Sequence, residues 1–381
     1  MKNFVFRNPT KLIFGKGTIA SLGREIPEGR KIMVTFGGGS AKTNGVYDQV
    51  AAALAGRDYI EFWGIESNPK IETLREAVKI CKREGVDFLL SVGGGSVLDG
   101  TKLIAAAIRY DGDPWDLVLD GRLIGEIVPF GDVMTMPATA SEMNLNAVIS
   151  NKATKEKFGM RVDYPRFSIL DPQTTFTLPE YQRACGMADT FIHVMEQYMT
   201  VTGESPLMDR WSEGILQTLV EIAPRVLAEK DDYDVMADYM LCATMGLNGF
   251  IAMGVSEDWA THKIGHELTA IHGITHGHTL AIVFPGLLRV LKEQKKSKIL
   301  QYGERVWNIT GGSEDERIDR TIAATENFFR SLGLKIRLSE MGVGADTIAE
   351  IERRFNERGA AYGENGNVTG EVARRILEEV M

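Results

Sequence analysis

Twice along this chain, an apolar and β-branched stretch ends in the tetrapeptide Gly-Gly-Gly-Ser and is followed by a helical pattern. The first copy joins residues 31–36 (KIMVTF) to the turn 37–40, and the second joins residues 86–92 (VDFLLSV) to the turn 93–96. Short strands that alternate with helices are typical of a parallel sheet with crossover helices. The N-terminal part of the chain is therefore predicted to form an α/β domain with a Rossmann-like parallel sheet.

Strand signals nearly vanish from Glu180 onward, where long patterns with a helical period take over. The segment DPQTTFTLP, residues 171–179, is the best boundary between these two parts. A chain of 381 residues exceeds the usual size of a single core, so two domains are expected. We predict an α/β domain over residues 1–179 and an all-helical domain over residues 180–381. The Gly-, Asp- and Pro-rich residues 111–132 are predicted to form a hairpin or lid.

The composition excludes several classes of function. The formal net charge is −9 and the isoelectric point is near 5.4, which argues against a nucleic-acid-binding surface and against attachment to an anionic membrane. No signal-like segment opens the chain, and nowhere do about eighteen apolar residues follow one another, so neither export nor membrane insertion is expected. Three widely spaced cysteines, Cys81, Cys185 and Cys242, suit reduced thiols in a cytoplasm better than a disulfide framework.

Each Gly-Gly-Gly-Ser turn places backbone N–H groups beside the positive end of a helix, an arrangement that binds phosphate. Either turn could hold part of a nucleotide, although neither matches the pattern G-x-G-x-x-G in full. The alternative is that the glycines only allow a tight bend. Asp99 lies one helical turn beyond Ser96. Its carboxylate could accept a hydrogen bond from a ribose hydroxyl, or it could simply interact favourably with the positive end of the helix dipole.

The histidines are unevenly distributed. Five of the six fall between residues 262 and 278, and the sixth, His193, follows Asp189 by four residues. Asp189 and His193 share one helix face, and so do His262 and His266, so two helices can aim pairs of metal ligands at one point. A buried carboxylate needs a partner, which a metal ion provides. The alternative for a single buried histidine is a hydrogen-bonded position in the core.

Two familiar zinc sites do not fit the histidine-rich segment. His266 and Glu267 begin like the peptidase motif H-E-x-x-H, but Ala270 stands where the second histidine belongs. No cysteine lies near the segment in the sequence, which excludes a thiolate zinc site. A mixed carboxylate and imidazole site remains, and such donors suit iron, zinc, nickel or manganese. His272 and His278 are interpreted as structural residues.

Long segments throughout the chain match a known family pattern. They are PTKLIFGKG, VGGGSVLDGTK, TMPATASE, GMADTFIHVMEQY, the histidine-rich segment and ERVWNITGGSEDERID. With these segments the sequence resembles the iron-containing (group III) alcohol dehydrogenases, and within them the branch of NADPH-dependent aldehyde reductases and butanol dehydrogenases. The resemblance implies an α/β nucleotide-binding domain followed by an all-helical domain, often in a homodimer. It also implies a metal site formed by Asp189, His193, His262 and His276.

The resemblance further implies that NADP(H) binds along the two glycine turns. The residues expected to contact the cofactor pyrophosphate and nicotinamide ribose are Gly94, Gly95, Ser96 and Asp99. The other cofactor contacts expected are Gly37, Gly38, Ser40, Thr135, Thr139, Lys157 and Leu178. No acidic residue stands in the first turn, whereas relatives that prefer NAD have an aspartate at the position of Gly38. NADPH is therefore expected over NADH.

The function implied is that of a metal-dependent alcohol dehydrogenase and aldehyde reductase. It would transfer a hydride between NADP(H) and short to medium-chain aldehydes and primary alcohols, with one divalent ion, iron or zinc. His266 is expected to relay a proton to the substrate alkoxide, and Asp99 is grouped with it as catalytic. Two alternatives stay open: a metal- and nicotinamide-dependent lyase or cyclase, and a metal-storing or nucleotide-sensing protein. We expect a cytoplasmic homodimer without nucleic-acid or membrane partners.

Overall fold

The structure is a computed structural model that describes residues 1–121, 125–201 and 203–381. The chain divides into two compact units, called here the sheet unit and the helical unit. The sheet unit consists of Arg7–Leu178 and Glu229–Asn248. The helical unit consists of Met1–Phe6, Pro179–Ala228 and Gly249–Met381.

The sheet unit contains a six-stranded sheet and a separate two-stranded sheet. Its strands are β1 (Lys11–Phe14), β2 (Ile32–Phe36), β3 (Tyr59–Phe62), β4 (Phe88–Gly94), β5 (Phe130–Met136), β6 (Asn146–Asn151), β7 (Glu156–Arg161) and β8 (Phe167–Leu170). In the larger sheet the order is β1-β8-β5-β4-β2-β3, and every neighbouring pair is parallel. Strands β6 and β7 pair antiparallel.

The helices are distributed between both units. Those of the sheet unit are α1 (Leu22–Glu25), α2 (Ser40–Thr43), α3 (Val46–Ala53), α4 (Ile71–Glu84), α5 (Gly95–Ala107), α6 (Pro114–Asp120) and α9 (Tyr233–Gly246). Those of the helical unit are α7 (Glu180–Tyr198), α8 (Pro206–Ala228), α10 (Ala260–His272), α11 (His276–Val290), α12 (Lys292–Trp307), α13 (Glu314–Ser331), α14 (Ala345–Glu357) and α15 (Gly370–Glu378).

The central strands are apolar on both faces because helices cover both faces of the sheet. All five residues of β2 are buried. Alternate side chains of a strand point to opposite faces, and Met33 joins the core that contains Leu98 of α5. Ile32 and Val34 join the other core, which contains Val50 of α3. The continuous apolar run that suggested a strand is thus the pattern expected for a parallel strand buried on both sides.

The two glycine turns follow neighbouring strands of the sheet. β2 and β4 pair directly, with Phe36 opposite Val92 at their carboxyl ends. From β2 the chain continues to β3 on one side, and from β4 it continues to β5 on the other. The strand order therefore reverses between β2 and β4. In open α/β sheets, ligands bind at the carboxyl ends of the strands beside such a reversal, so residues 37–40 and 93–96 share the favoured position for a ligand.

The predicted fold class is confirmed, because a parallel sheet with surrounding helices is followed by a helical region. The compact units differ from the predicted ranges 1–179 and 180–381 at residues 1–6, 179 and 229–248. Helix α9 belongs to the sheet unit, where the Tyr239 hydroxyl donates to the Pro137 carbonyl at 2.7 Å. Helical periodicity reveals that α9 is a helix but not which core it contacts.

The prediction of a hairpin or lid over residues 111–132 is wrong for Pro114–Asp120, because these residues form α6. Asp113 caps this helix by accepting a hydrogen bond from the Trp115 N–H at 2.7 Å, and Pro114 occupies the first helical position. Trp115 is buried in a core of the sheet unit. The dipeptide Asp-Pro was therefore a helix start rather than a turn. Residues 122–124 of the predicted segment lie outside the described residues.

Helix α7 is the centre of the helical unit. Every residue from Arg183 to Tyr198 is buried, as expected of a helix that is surrounded by other helices. Its main packing partners are α8 and α11, and α11 also packs against α10. Over the described ranges, no helix is both long enough and apolar enough to cross a lipid bilayer.

Lys102 of α5 is a fully buried cation in the sheet unit. Its ammonium group donates hydrogen bonds to the carbonyl oxygens of Ser141, Asn144 and Asn146 at 2.8, 2.9 and 2.8 Å. Burial lowers the pKa of Lys102 to about 8, and the charge of Asp99 acts in the opposite direction. The lysine therefore fixes the chain between β5 and β6 against α5.

We predict that Lys102→Met destabilises the sheet unit. The substitution removes the donor for three carbonyl oxygens and leaves Asp99 without its buried cation, and breaking such a buried charge network costs about 3–5 kcal/mol. Urea unfolding should show a loss of this size. Lys79→Met, at an exposed position of α4, is the control and should change stability by less than about 0.5 kcal/mol. Equal stability of the two variants would contradict this role for Lys102.

Candidate metal centre and nucleotide-binding turns

Asp189 and His193 lie one turn apart on the buried face of α7. Each residue is only 4% exposed. The distance from Asp189 Oδ1 to His193 Nε2 is 3.6 Å. The four-residue spacing seen in the sequence therefore brings a carboxylate and an imidazole to the same point inside the helical unit.

Two further imidazoles reach this carboxylate oxygen from α10 and α11. His262 is the third residue of α10, and His276 is the first residue of α11. The Nε2 atoms of both histidines lie 3.9 Å from Asp189 Oδ1. The ligand atoms of Asp189, His262 and His276 all lie within 4.8 Å of one another. The ring of His193 stacks against that of His262, with 4.7 Å between their centroids.

Two glycines allow these helices to approach closely. A Cβ atom on Gly277 of α11 would lie 2.0 Å from the Cys185 carbonyl oxygen of α7. A Cβ atom on Gly265 of α10 would lie 2.8 Å from the Thr279 hydroxyl oxygen of α11. Contacts under 3.0 Å essentially never occur for real Cβ atoms. The glycine beside His276 is therefore required for α11 to pack against α7.

The residues at this point fit a divalent metal ion. Asp189 Oδ1 is buried, and no hydrogen-bond donor reaches it from the part of the chain that the structure describes. Two ligand atoms that each bond a metal at about 2.1 Å are about 3.4 Å apart in a tetrahedral set. The separations of 3.6–3.9 Å are close to that value. One carboxylate and three imidazoles are also donors that bind iron or zinc.

Glu196 is a residue that the sequence analysis did not single out. It lies on α7, one turn beyond His193, and its carboxylate oxygen Oε1 is 3.0 Å from His262 Nδ1. Its presence three residues after His193 on the same helix face was the available signal. Burial, followed by the charge of Asp258, raises the pKa of Glu196 to about 8. A cation held by His262 acts in the opposite direction, because it stabilises the nearby carboxylate.

The remaining histidines separate into two groups. His266 is 8% exposed, and its ring centroid lies 4.9 Å from that of His276 and 6.3 Å from that of His262. His272 and His278 make ordinary hydrogen bonds elsewhere in the helical unit, to the Thr347 hydroxyl and to the Lys335 carbonyl, each at 2.8 Å. His266 therefore lies beside the cluster, whereas the other two have the structural contacts that were predicted.

The two glycine turns of the sheet unit differ in how crowded they are. A Cβ atom on Gly94 would lie 2.9 Å from Met136 Cβ, and one on Gly95 would lie 2.2 Å from the Thr139 hydroxyl oxygen. The second turn therefore needs its glycines for packing. Gly38 in the first turn is exposed, has no atom within 4 Å of a Cβ position and has no left-handed φ. A side chain at residue 38 is sterically permitted.

Hydrogen bonds connect two of the expected cofactor contacts near the second turn. The Ser96 hydroxyl accepts from the Asn68 N–H at 3.2 Å, and the Asn68 side chain accepts from Lys157 Nζ at 2.7 Å. Ser96 and Lys157 are thus brought together through Asn68, which the sequence analysis missed. Thr135 lies near the end of β5, and Leu178 lies two residues before the start of α7; both are half-buried.

Asp99 has a structural role in this unit. Its Oδ1 accepts from the Ser141 hydroxyl at 2.6 Å, and its Oδ2 accepts from the Val148 N–H at 2.9 Å. Burial raises the pKa of Asp99, and Lys102 opposes this shift. Each oxygen of a carboxylate can accept a second hydrogen bond, so these contacts do not prevent Asp99 from accepting one from a ribose hydroxyl.

The sequence matches family profiles over nearly its whole length. The profile described as iron-containing alcohol dehydrogenase covers residues 9–172, and the C-terminal profile of the same family covers residues 183–376. The chain belongs to the iron-containing alcohol dehydrogenase family. This finding confirms the resemblance inferred from the motifs.

Named relatives of this family match the chain from end to end. The NADPH-dependent aldehyde reductase YqhD of Escherichia coli is 50% identical over 99% of both chains. The probable NADH-dependent butanol dehydrogenase 1 of Bacillus subtilis is 42% identical, also over 99% of both chains. Among solved structures, YqhD of E. coli superposes with a TM-score of 0.98 at 49% identity, covering 100% of this chain and 99% of that one. The fold described above is therefore that of an alcohol dehydrogenase of this family.

Gly277→Ala tests whether close packing of α11 on α7 forms the metal centre. The added Cβ atom must displace the backbone of α7, and such overpacking typically costs about 1–3 kcal/mol. Displacing His276 should also weaken the stabilisation that an added divalent metal gives to the folded state. Both effects can be measured by thermal unfolding with and without the metal salt.

Gly214→Ala is the matched control for this substitution. Gly214 is an exposed residue of α8 with no atom within 4 Å of its Cβ position. Because alanine favours a helix over glycine, this variant should be up to about 1 kcal/mol more stable than the wild type. Normal stability and normal metal response in Gly277→Ala would contradict the packing argument.

Proposed function

We propose that this protein is an NADP(H)-dependent, metal-containing alcohol dehydrogenase that reduces short to medium-chain aldehydes to primary alcohols and catalyses the reverse reaction. The observation that carries the proposal is the convergence of His193, His262 and His276 on the buried carboxylate of Asp189, in a chain of the iron-containing alcohol dehydrogenase family. Relatives named as aldehyde reductase and butanol dehydrogenase support the substrate class.

The metal site of the proposal consists of Asp189, His193, His262 and His276, with iron favoured by the family description and zinc equally suited to the donors. A metal bound there supplies Lewis-acid stabilisation of negative charge on the substrate oxygen. The four side chains are fixed before substrate arrives, because they belong to three helices that pack against one another.

His266 is proposed to move the proton. Hydride addition to an aldehyde produces an alkoxide, which requires a proton to become the alcohol. His266 lies beside the metal-ligand cluster, and it belongs to the same helix as His262. An imidazole is a side chain that can both hold and release a proton around neutral pH. Asp99 is proposed to accept a hydrogen bond from the nicotinamide ribose through one of its buried oxygens.

The cofactor is proposed to bind at the strand reversal, with its phosphates on the turns 37–40 and 93–96. Exposed Gly38 and Ser40 leave the first turn without a carboxylate that would repel a 2′-phosphate. The ammonium group of the nearby Lys42 lies 4.0 Å from the centroid of the Trp63 ring and adds a positive charge beside this turn. The more similar of the two named relatives is NADPH-dependent. Thr135, Thr139, Lys157 and Leu178 are proposed as further contacts.

The quaternary structure and location are part of the same proposal. Three free and buried cysteines, Cys81, Cys185 and Cys242, suit a reducing compartment and support a cytoplasmic protein. A homodimer is proposed from the family resemblance. The substrate is a small aldehyde or alcohol, with no nucleic-acid partner. No observation favours the lyase, cyclase or metal-storage alternatives, and the named relatives are reductases and dehydrogenases.

A pair of histidine substitutions separates metal binding from proton transfer. His276→Ala should lower the bound metal and abolish NADPH oxidation with a short aldehyde, because it removes a ligand. His266→Ala should keep the metal and slow the reaction on the order of 10²-fold, the contribution expected of a proton-transfer group. His272→Ala, at a histidine that bonds to the Thr347 hydroxyl, should leave both properties unchanged. Full metal occupancy and a normal rate in His276→Ala would disprove the assignment.

Gly38→Asp should reverse the cofactor preference. The carboxylate would repel the 2′-phosphate of NADPH and could accept hydrogen bonds from the adenosine ribose of NADH. Because a Cβ atom fits at residue 38, the effect should come from charge rather than from strain. The measurement is kcat/KM with each cofactor.

Gly38→Asn is the matched control, since it has the same shape as Asp without the charge. It should retain a preference for NADPH. An equal loss with both cofactors in Gly38→Asp, or equal use of both by the wild type, would count against the proposed cofactor site.

A further inference from the structure

We propose that Glu196 is a positioning residue of the metal centre, which fixes His262 as an Nε2 ligand and orders the start of α10. The inference rests on the proposed metal site. Asp189, His193 and Glu196 are spaced by four and three residues on α7, so they occupy one face of this helix. The same helix face therefore carries two proposed ligands and the residue that holds a third.

The carboxylate of Glu196 accepts hydrogen bonds from three groups. Its Oε1 accepts from the backbone N–H of His262 and is 3.0 Å from the Nδ1 atom of the same residue. Its Oε2 accepts from the Trp259 N–H at 3.0 Å. The backbone carbonyl of Glu196 also accepts, from the Asp258 N–H at 2.8 Å. Glu196 is 2% exposed, so water does not compete for these hydrogen bonds.

The contact at Nδ1 selects the tautomer of His262. In its ionised form, which a cation held by His262 favours, the carboxylate can only accept a hydrogen bond, so Nδ1 carries the proton that it donates to Glu196. The lone pair of the neutral ring then resides on Nε2, which is the nitrogen nearer to Asp189, at 3.9 Å. A hydrogen bond of this kind fixes both the ring orientation and the ligating nitrogen of a metal-binding histidine.

The backbone contacts determine where α10 begins. The first N–H groups of a helix have no partner within the helix. Here Glu196 receives the N–H groups of Trp259 and His262, and Asp258 Oδ1 receives that of Ala260 at 3.0 Å. Trp259 has a φ of 66°, in the left-handed region that bulky residues rarely adopt. The hydrogen bonds to Glu196 hold this unfavourable turn directly before α10, whose third residue is His262.

A buried ion-pair network holds the same segment from its other side. Lys295 Nζ is 2.9 Å from Asp258 Oδ2 and 2.7 Å from a carboxylate oxygen of Glu364, and it donates to the Met199 carbonyl at 2.8 Å. Lys295 is only 1% exposed. Asp258 therefore remains fixed by its own cation, and the position of α10 depends on Glu196 for the contacts that reach His262.

The test compares Glu196→Ala and Glu196→Gln with the wild type, using Zn²⁺ and Fe²⁺ as probes. Dissociation constants are measured by chelator competition on the metal-loaded protein, and unfolding is measured on the metal-free protein. Glu196→Ala should bind each metal about 10- to 100-fold more weakly, the loss typical of such a histidine partner. Glu196→Gln retains one oxygen for His262 and should lose less, so it keeps the test valid if the alanine variant does not fold.

Glu213→Gln is the control, because it changes another buried glutamate of the helical unit. Glu213 contacts Tyr198, Gln301 and Arg305 rather than a proposed ligand. It should lower stability but leave metal affinity within about twofold, since removing a buried partner costs stability wherever it occurs. Metal affinities in both Glu196 variants equal to those of the wild type would overturn the inference. A wild type that binds neither metal would instead overturn the proposed metal site, and this inference with it.

Discussion

A carboxylate removed from water is stable only if a cation or hydrogen-bond donors replace the water. Asp189 is such a carboxylate, and its Oδ1 faces the Nε2 atoms of three histidines. Protonated imidazoles would supply positive charge, but the rings of His193 and His262 are only 4.7 Å apart and would repel each other as cations. A single divalent ion satisfies the carboxylate and the imidazole lone pairs together.

This requirement explains the packing around the site. Ligands from α7, α10 and α11 can meet one ion only if these helices approach closely, and glycine at residues 265 and 277 permits that approach. Each histidine ligand must also present the correct nitrogen to the ion. For His262, the contact between Nδ1 and Glu196 leaves Nε2 as the ligating nitrogen. The same contacts therefore stabilise the helical unit and determine the geometry of the site.

In the sheet unit, the proposed cofactor site requires backbone N–H groups that an anion can reach. Parallel strands end at the same edge of the sheet, so turns after β2 and β4 become neighbours although they are far apart in the sequence. The second turn is crowded by Met136 and Thr139, whereas the first is open at Gly38. The first turn can therefore accept different side chains, as the proposed cofactor selection requires, whereas the second is constrained by packing.

Much of this architecture could be predicted from local patterns. The repeated strand and glycine turn indicated the parallel sheet, and the spacing of Asp189 and His193 indicated a shared helix face. His262 was paired with His266 by spacing, and only the family resemblance indicated His276, because helix crossing depends on Gly277 and tertiary packing. Glu196 was missed because a glutamate on a helix is common and its burial is not visible in the sequence. The dipeptide Asp113-Pro114 was a local signal for the start of α6, but it was interpreted as part of a hairpin or lid.

X-ray absorption spectroscopy of the purified protein at the edges of iron and zinc tests the central claim most directly. The account predicts one divalent metal per chain, with a first shell of nitrogen and oxygen atoms at about 2.0–2.2 Å and the outer-shell scattering of imidazole rings. It predicts no sulfur scatterer, because the candidate ligand cluster contains no cysteine. A protein that carries no metal after loading, or a metal whose shell contains sulfur or lacks imidazole, would contradict the account.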